Sequence, residues 1–93
     1  MIHSIKEIIA IDPYKLTLRF DSNEIRQVDL TEKLNVWGST PESKFAALKH
    51  PDIFYKVKLD PEFDSLVWEN GIDLCPDVLY DLSTEFKNKR VEL

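Results

Sequence analysis

Glycine is nearly absent: the chain carries Gly38 and Gly71 and no others. No glycine-rich loop can therefore cradle a phosphate, because such loops need several glycines whose amides approach the anion closely. Cysteine is as scarce. Cys75 stands alone, which excludes an internal disulfide framework and suits a reducing compartment. The two histidines, His3 and His50, lie far from it and from each other, and that scatter fits no structural zinc spacing. Long apolar runs are missing too, since nothing approaches the roughly eighteen apolar residues of a membrane span. Near the start, Ile8–Ile11 is too short for the core of a signal peptide, and Lys6 and Glu7 interrupt what precedes it. A cytoplasmic location without membrane association is the expectation, and no metal or cofactor is implied.

What is present suits a small folded unit. Apolar residues make up 43% of the 93, and 11% are aromatic, enough for one core and too much for a disordered tail. One domain over residues 1–93 is expected, of modest stability because a short chain buries a small share of its surface. The formal charge is −5. An acidic surface repels phosphate backbones and anionic lipid, which disfavours direct nucleic-acid and membrane binding. The same charge suits a basic protein partner, although solubility alone is a sufficient reason for it.

Along the chain the predicted class is α+β, an antiparallel sheet that opens with a three-stranded meander over about 3–30. Ile5–Ile11 is β-branched and strand-like, and Asp12-Pro13 supplies a turn. Tyr14, Leu16, Leu18 and Phe20 then alternate with Lys15, Thr17, Arg19 and Asp21, the period-two signature of a half-buried strand. Ser22-Asn23 offers the next turn, with Asn23 able to adopt a left-handed conformation. Glu24–Leu30 follows, with Val28 and Leu30 inward. Ile25 is out of phase, which predicts a bulge or a frayed start.

Thr31–Ser39 reads as a turn of helix or a loop. A short middle helix is expected over about 41–49, with Thr40 as N-cap and Pro41 in its first turn, ending at Pro51. A second hairpin is expected over about 54–69, pairing Tyr55–Leu59 with Ser65–Glu69 across an Asp60–Asp64 turn. A C-terminal helix from Pro76 to about 87 places Val78, Leu79, Leu82 and Phe86 on one face, to be packed on the sheet. Lys87, Lys89 and Arg90 would favour its negative end.

The stretch Trp68-Glu69-Asn70-Gly71-Ile72-Asp73-Leu74-Cys75-Pro76-Asp77-Val78-Leu79-Tyr80 resembles the signature of a family of short bacterial proteins, domain of unknown function 2442. That signature runs tryptophan, any residue, asparagine-glycine, then aspartate, proline and leucine-tyrosine. The opening strands, Phe45–Leu48 and Phe54–Leu59 share the likeness. One departure is the hairpin Asp21-Ser22-Asn23-Glu24, where many relatives carry glycine, and this leaves the turn type open. The resemblance implies an antiparallel sheet with a packed helix and no established activity. It also implies a partnership with a second small protein encoded nearby, in pairs proposed as toxin–antitoxin systems.

Each signature residue has a structural explanation. Asn70-Gly71 is a tight-turn pair whose residues both tolerate positive φ. Asp73 can bond amides ahead of the helix, and Pro76 opens it. No nucleophile with a base lies in the motif. The leading reading is therefore a protein-binding regulatory module, the antitoxin-like half of a two-protein system, rather than an enzyme. Its candidate contacts are Trp37, in the irregular segment, and the acidic turn Asp60, Glu62 and Asp64, set to meet a small basic protein. An exposed sheet edge could also accept a strand, and self-association stays open. The alternative is a small ligand-binding domain or enzyme with a pocket between helix and sheet, using Asp73, Cys75 or Tyr80. Asp60, Glu62 and Asp64 lack the glycine and distal glutamate of a calcium loop.

Overall fold

The structure, a computed structural model, describes residues 3–85. Three strands form the meander: β1 (Ile5–Asp12), β2 (Lys15–Phe20) and β3 (Ile25–Asp29). Three short helices follow, α1 (Thr31–Trp37), α2 (Lys44–Ala47) and α3 (Pro51–Phe54). The chain then forms β4 (Lys58–Asp60), β5 (Ser65–Val67) and β6 (Asp73–Leu74), next α4 (Pro76–Leu82), and last β7 (Ser83–Glu85). The strands make two antiparallel sheets, ordered β1-β2-β3-β7 and β4-β5-β6. The fold is α+β, as the sequence indicates, but with two sheets where one is expected.

The meander is built on an unusual phase. On β2, Leu16, Leu18 and Phe20 are buried at the expected period of two. Their partners on β1 are Ile11, Ile8 and Ile5, three residues apart. The register shifts between Ile5 and Glu7 and again between Ile8 and Ala10, so Lys6 and Ile9 are each one residue too many for the opposing strand. Two bulges thus convert a period of three into a period of two and keep the isoleucines at 5, 8 and 11 facing the core. Ile25, where the sequence predicts a bulge or a frayed start, is the first residue of β3; it pairs with Arg19 without a bulge and lies on the outward face, 38% exposed.

Both β-hairpins that carry a left-handed third residue have the same loop. Phe20 N–H donates to the Glu24 carbonyl and Asn23 N–H to that of Phe20, at 2.9 and 2.8 Å; Trp68 N–H donates to Ile72 and Gly71 N–H to Trp68, at 2.8 and 3.0 Å. Asn23 has φ 70° and Gly71 φ 93°, the left-handed residue of a three-residue hairpin. Asparagine thus does at 23 what glycine does at 71. Asn70 has no positive φ. Its side chain accepts from Ile72 N–H at 3.3 Å and donates to the Lys44 carbonyl at 3.0 Å, fastening the loop to α2.

The helical middle departs furthest from expectation. Thr31–Trp37 is a helix, begun where the Asp29 carboxylate accepts the Thr31 N–H at 3.0 Å. The next helix starts at Lys44 with Ser43, not Thr40, as N-cap, its hydroxyl accepting the Phe45 N–H at 3.2 Å. Thr40 instead accepts the Ser43 N–H in a preceding turn. Pro51, expected to end a helix, begins α3 at a position where its missing N–H costs nothing. The helix holds Tyr55 as its C-cap, so the strand predicted from Tyr55 starts only at Lys58.

At the end of the described chain, α4 stops at Leu82, and Ser83–Glu85 turns extended to pair with β3. A helix continuing to about 87 is therefore corrected. Val78, expected inward, is exposed, while Leu79 is buried. Phe86, Lys87, Lys89 and Arg90 lie outside the described residues.

One core joins both sheets and the helices. It includes Ile5, Phe20, Phe54, Trp68, Leu66 and Leu79. Trp68 is buried with its indole N–H donated to the Phe54 carbonyl at 3.2 Å, so the ring brings no unsatisfied polar group inside. The Tyr14 hydroxyl donates to the Lys49 carbonyl, tying the meander to the helical layer. Helices α1 and α2 meet at Gly38, where an added Cβ would lie 2.8 Å from the Ala46 nitrogen and 2.9 Å from the Leu34 carbonyl oxygen. Both are backbone atoms and cannot swing aside. Gly38→Ala should therefore destabilise by about 1–3 kcal/mol, read from the urea midpoint; an unchanged midpoint would show that the two helices part without cost.

Candidate functional site

The predicted site residues fall in three separate places. The acidic turn joins β4 to β5. Asp60 organises it: its carbonyl accepts the Asp64 N–H at 2.7 Å, and its carboxylate accepts the Glu62 N–H at 2.9 Å. Asp64 sits at φ 54°, and its carbonyl accepts the Ile5 N–H while its carboxylate meets Lys6 at 3.6 Å. The turn is therefore fixed from within and anchored to β1. What sequence reasoning missed is Phe63 at its tip, 58% exposed between Glu62 and Asp64. The available signal was the aromatic itself: Pro61-Glu62-Phe63 breaks the alternation of both strands, so its ring has no place in their buried face.

Trp37 is half-buried. Its ring packs on Phe45 with centroids 5.1 Å apart, and its carbonyl accepts the Ser43 hydroxyl at 2.8 Å. This side chain spends much of its area on helix packing.

Asp73, Cys75 and Tyr80 come from three successive settings. Asp73 is exposed on β6, and Cys75 is the exposed N-cap residue of α4. Tyr80 belongs to a cluster that draws in the chain's first described residue. His3 stacks on its ring at 3.8 Å and 6°, Phe20 meets it edge-on at 5.2 Å, and the Arg26 guanidinium lies 4.2 Å from its centre. The Tyr80 hydroxyl reaches both Glu24 oxygens, at 2.8 and 3.0 Å. Arg26 also bonds Glu24 at 3.1 Å and, through Nε, the Ser83 hydroxyl at 2.5 Å; Ser83 in turn donates to the Tyr80 carbonyl at 2.6 Å. His3 N–H donates to Asp77 at 2.9 Å. Glu24, the residue just before β3, and Arg26 are two apart, a spacing that shares a face by strand period, and that was the legible hint of the cluster.

The chemistry of this cluster is that of a clasp. The bond from Tyr80, then that from Ser22, holds the Glu24 carboxyl below its ordinary range. The same bond to Glu24, then desolvation, raises the Tyr80 phenol above its own. A phenol made harder to ionise is the reverse of an activated nucleophile or base. Nor does any group of three His, Cys, Asp or Glu among the described residues make a metal site. No helix among them is long and apolar enough to cross a membrane. A hollow of about 370 Å³ is lined by Asp29, Thr31 and Glu32, and there the Asp29 carboxyl is held low by Thr31, first its hydroxyl and then its amide.

The clasp predicts a pH signature. A carboxyl lowered in the folded state stabilises above the unfolded value, near 4, and that stability is lost as pH falls through the folded value. A phenol raised in the folded state stabilises below about 10 and loses this as pH rises through its folded value. Tyr80→Phe should therefore separate most from the natural protein in melting temperature near neutral pH and converge with it in acid and in strong base. A difference constant from pH 3 to 11 would show that the hydroxyl bond contributes nothing.

The family model described as protein of unknown function (DUF2442) matches residues 5–85. No curated protein and no solved structure matches the chain. The matched span runs from the first core isoleucine to the last paired residue of β7, so it takes in both sheets, the acidic turn and all of the clasp except His3. The chain belongs to the DUF2442 family.

Proposed function

We propose that this domain is a cytoplasmic protein-binding regulator that contacts a small basic protein through the Asp60–Asp64 turn, as the antitoxin-like half of a two-protein system encoded together. The observation that carries the contact is Phe63. A large apolar side chain in solvent on a turn whose backbone is already fixed leaves binding only the cost of ordering the side chain itself. Aromatic anchors ringed by polar groups are the usual centres of protein interfaces. Here the ring of polar groups is Glu62 with Asp60 and Asp64, and the chain as a whole carries −5, so the complementary surface is an apolar slot among lysines and arginines. The bacterial two-protein setting rests on the family resemblance, and the basic partner on this charge.

The test expresses the tagged protein with its native neighbouring genes and analyses what co-purifies. A stoichiometric small basic protein is expected, held by the natural chain and lost from Phe63→Ala at an unchanged melting temperature, since an exposed side chain contributes within about 0.5 kcal/mol to stability. Recovery of the protein alone, or binding indifferent to Phe63→Ala, would overturn the reading.

A further inference from the structure

Among the described residues β1 is an edge strand of its sheet, paired with β2; its other side meets the smaller sheet near β4, where the Ile5 N–H reaches the Asp64 carbonyl. In an antiparallel pair, opposed residues alternate between exchanging hydrogen bonds and pointing their polar groups away from each other. Ile5 and Phe20 are of the second kind, for the Ile5 N–H goes to Asp64 and the Phe20 N–H to Glu24. Leu18 and Leu16 follow Phe20 at steps of two, and the bulges place Ile8 and Ile11 opposite them. The same orientation therefore recurs at Ile8 and Ile11, whose N–H and C=O groups face the open side. Although three apart in sequence, they stand opposite residues two apart, so their spacing along the edge is about 7 Å, that of alternate residues in an ordinary strand. The bulges leave a regular hydrogen-bonding template.

We propose that the open side of β1 takes up an extended basic segment of another protein as an added antiparallel strand. This rests on the protein-binding reading above and names a second contact for it. Charge selects the occupant. Glu7 and Asp12 immediately flank Ile8 and Ile11 in regular register. Both residues are exposed. Glu7 meets Arg19 through Oε1 at 3.0 Å, which leaves Oε2 to a further cation; Lys15 stands opposite Asp12, and Lys6 is drawn to Asp64 at 3.6 Å. An added strand places two of its residues opposite these acids, four apart, on either side of the two paired with Ile8 and Ile11. Ile9, 44% exposed, gives the middle of that strand an apolar contact. A second copy of this chain fits badly: matching Ile8 of one to Ile11 of the other sets Glu7 of each copy opposite Asp12 of the other, a like-charge pair at both ends.

The probe is a capped peptide, Lys-Val-Thr-Val-Lys, titrated at low salt into isotope-labelled protein, with its Glu-Val-Thr-Val-Glu counterpart as control. The Ile8 and Ile11 amides should shift and gain protection from exchange with the lysine peptide alone. The double charge reversal E7K/D12K should weaken that peptide about tenfold and transfer binding to the glutamate peptide. It leaves the apolar core untouched, and its melt verifies folding. No binding at millimolar peptide, or shifts at carboxylates without protection of the two amides, would overturn the edge site. Phe63→Ala should leave peptide binding intact. A native partner lost with Phe63→Ala while the peptide fails would therefore keep the regulator reading and discard only this edge.

Discussion

The structure depends on a phase correction in its first strand. Isoleucines at 5, 8 and 11 would point alternately to core and solvent in a regular strand, because side chains change face at every residue. An extra residue at Lys6 and another at Ile9 restore the phase, so that all three meet the buried face of β2. Ile5 thereby reaches the core with its amide aimed outward at the Asp64 carbonyl, and that one bond brings the turn of the smaller sheet against the edge of the larger. A shift of one residue anywhere in this strand would present isoleucine to water and carboxylates to the core. The acidic turn owes its position to packing one strand away, on the opposite sheet.

How much of this was legible varies with the range of the interaction involved. The strand at Lys15–Phe20, the β4–β5 pairing and the start of α4 at Pro76 were readable because each follows from local alternation or from proline's fixed φ. The end of α4 was not. Leu82 and Phe86 continue a helical stripe, but Ser83–Glu85 finds hydrogen bonds on β3, and Arg26 holds Ser83 there. Tertiary pairing overrides the local pattern, as it does where Tyr55 closes a helix instead of opening a strand. The β1 bulges left a trace, the three-residue spacing of isoleucine, but reading it requires knowing what lies opposite.

The same divide separates the site residues. That Asp60 and Asp64 would share a turn followed from sequence, whereas their work in building it did not. The signature residues prove to be fasteners. Asn70 ties its loop to α2, Trp68 fills the core, and Tyr80 closes the Glu24–Arg26 clasp with its ring against His3 and Phe20. A motif spread over thirteen residues thus secures contacts with both sheets and the helical layer, which explains how it can mark a fold without specifying a reaction.

Removing those residues from the functional account leaves the surface that folding does not need. Phe63, next to Asp64 in the turn, and Ile9, on the strand that begins at Ile5, are exposed apolar side chains, and carboxylates stand near both in the sequence. Neither would be retained for stability, since exposed isoleucine and phenylalanine gain little from folding and raise the risk of aggregation. Like charges restrain that risk by keeping copies of the chain apart, and the same charges attract a cationic partner from a distance. An acidic border around an open strand edge therefore has two consequences from one cause. Under the proposal above, Glu7 and Asp12 oppose self-pairing and favour a basic chain, without any residue of the core being altered.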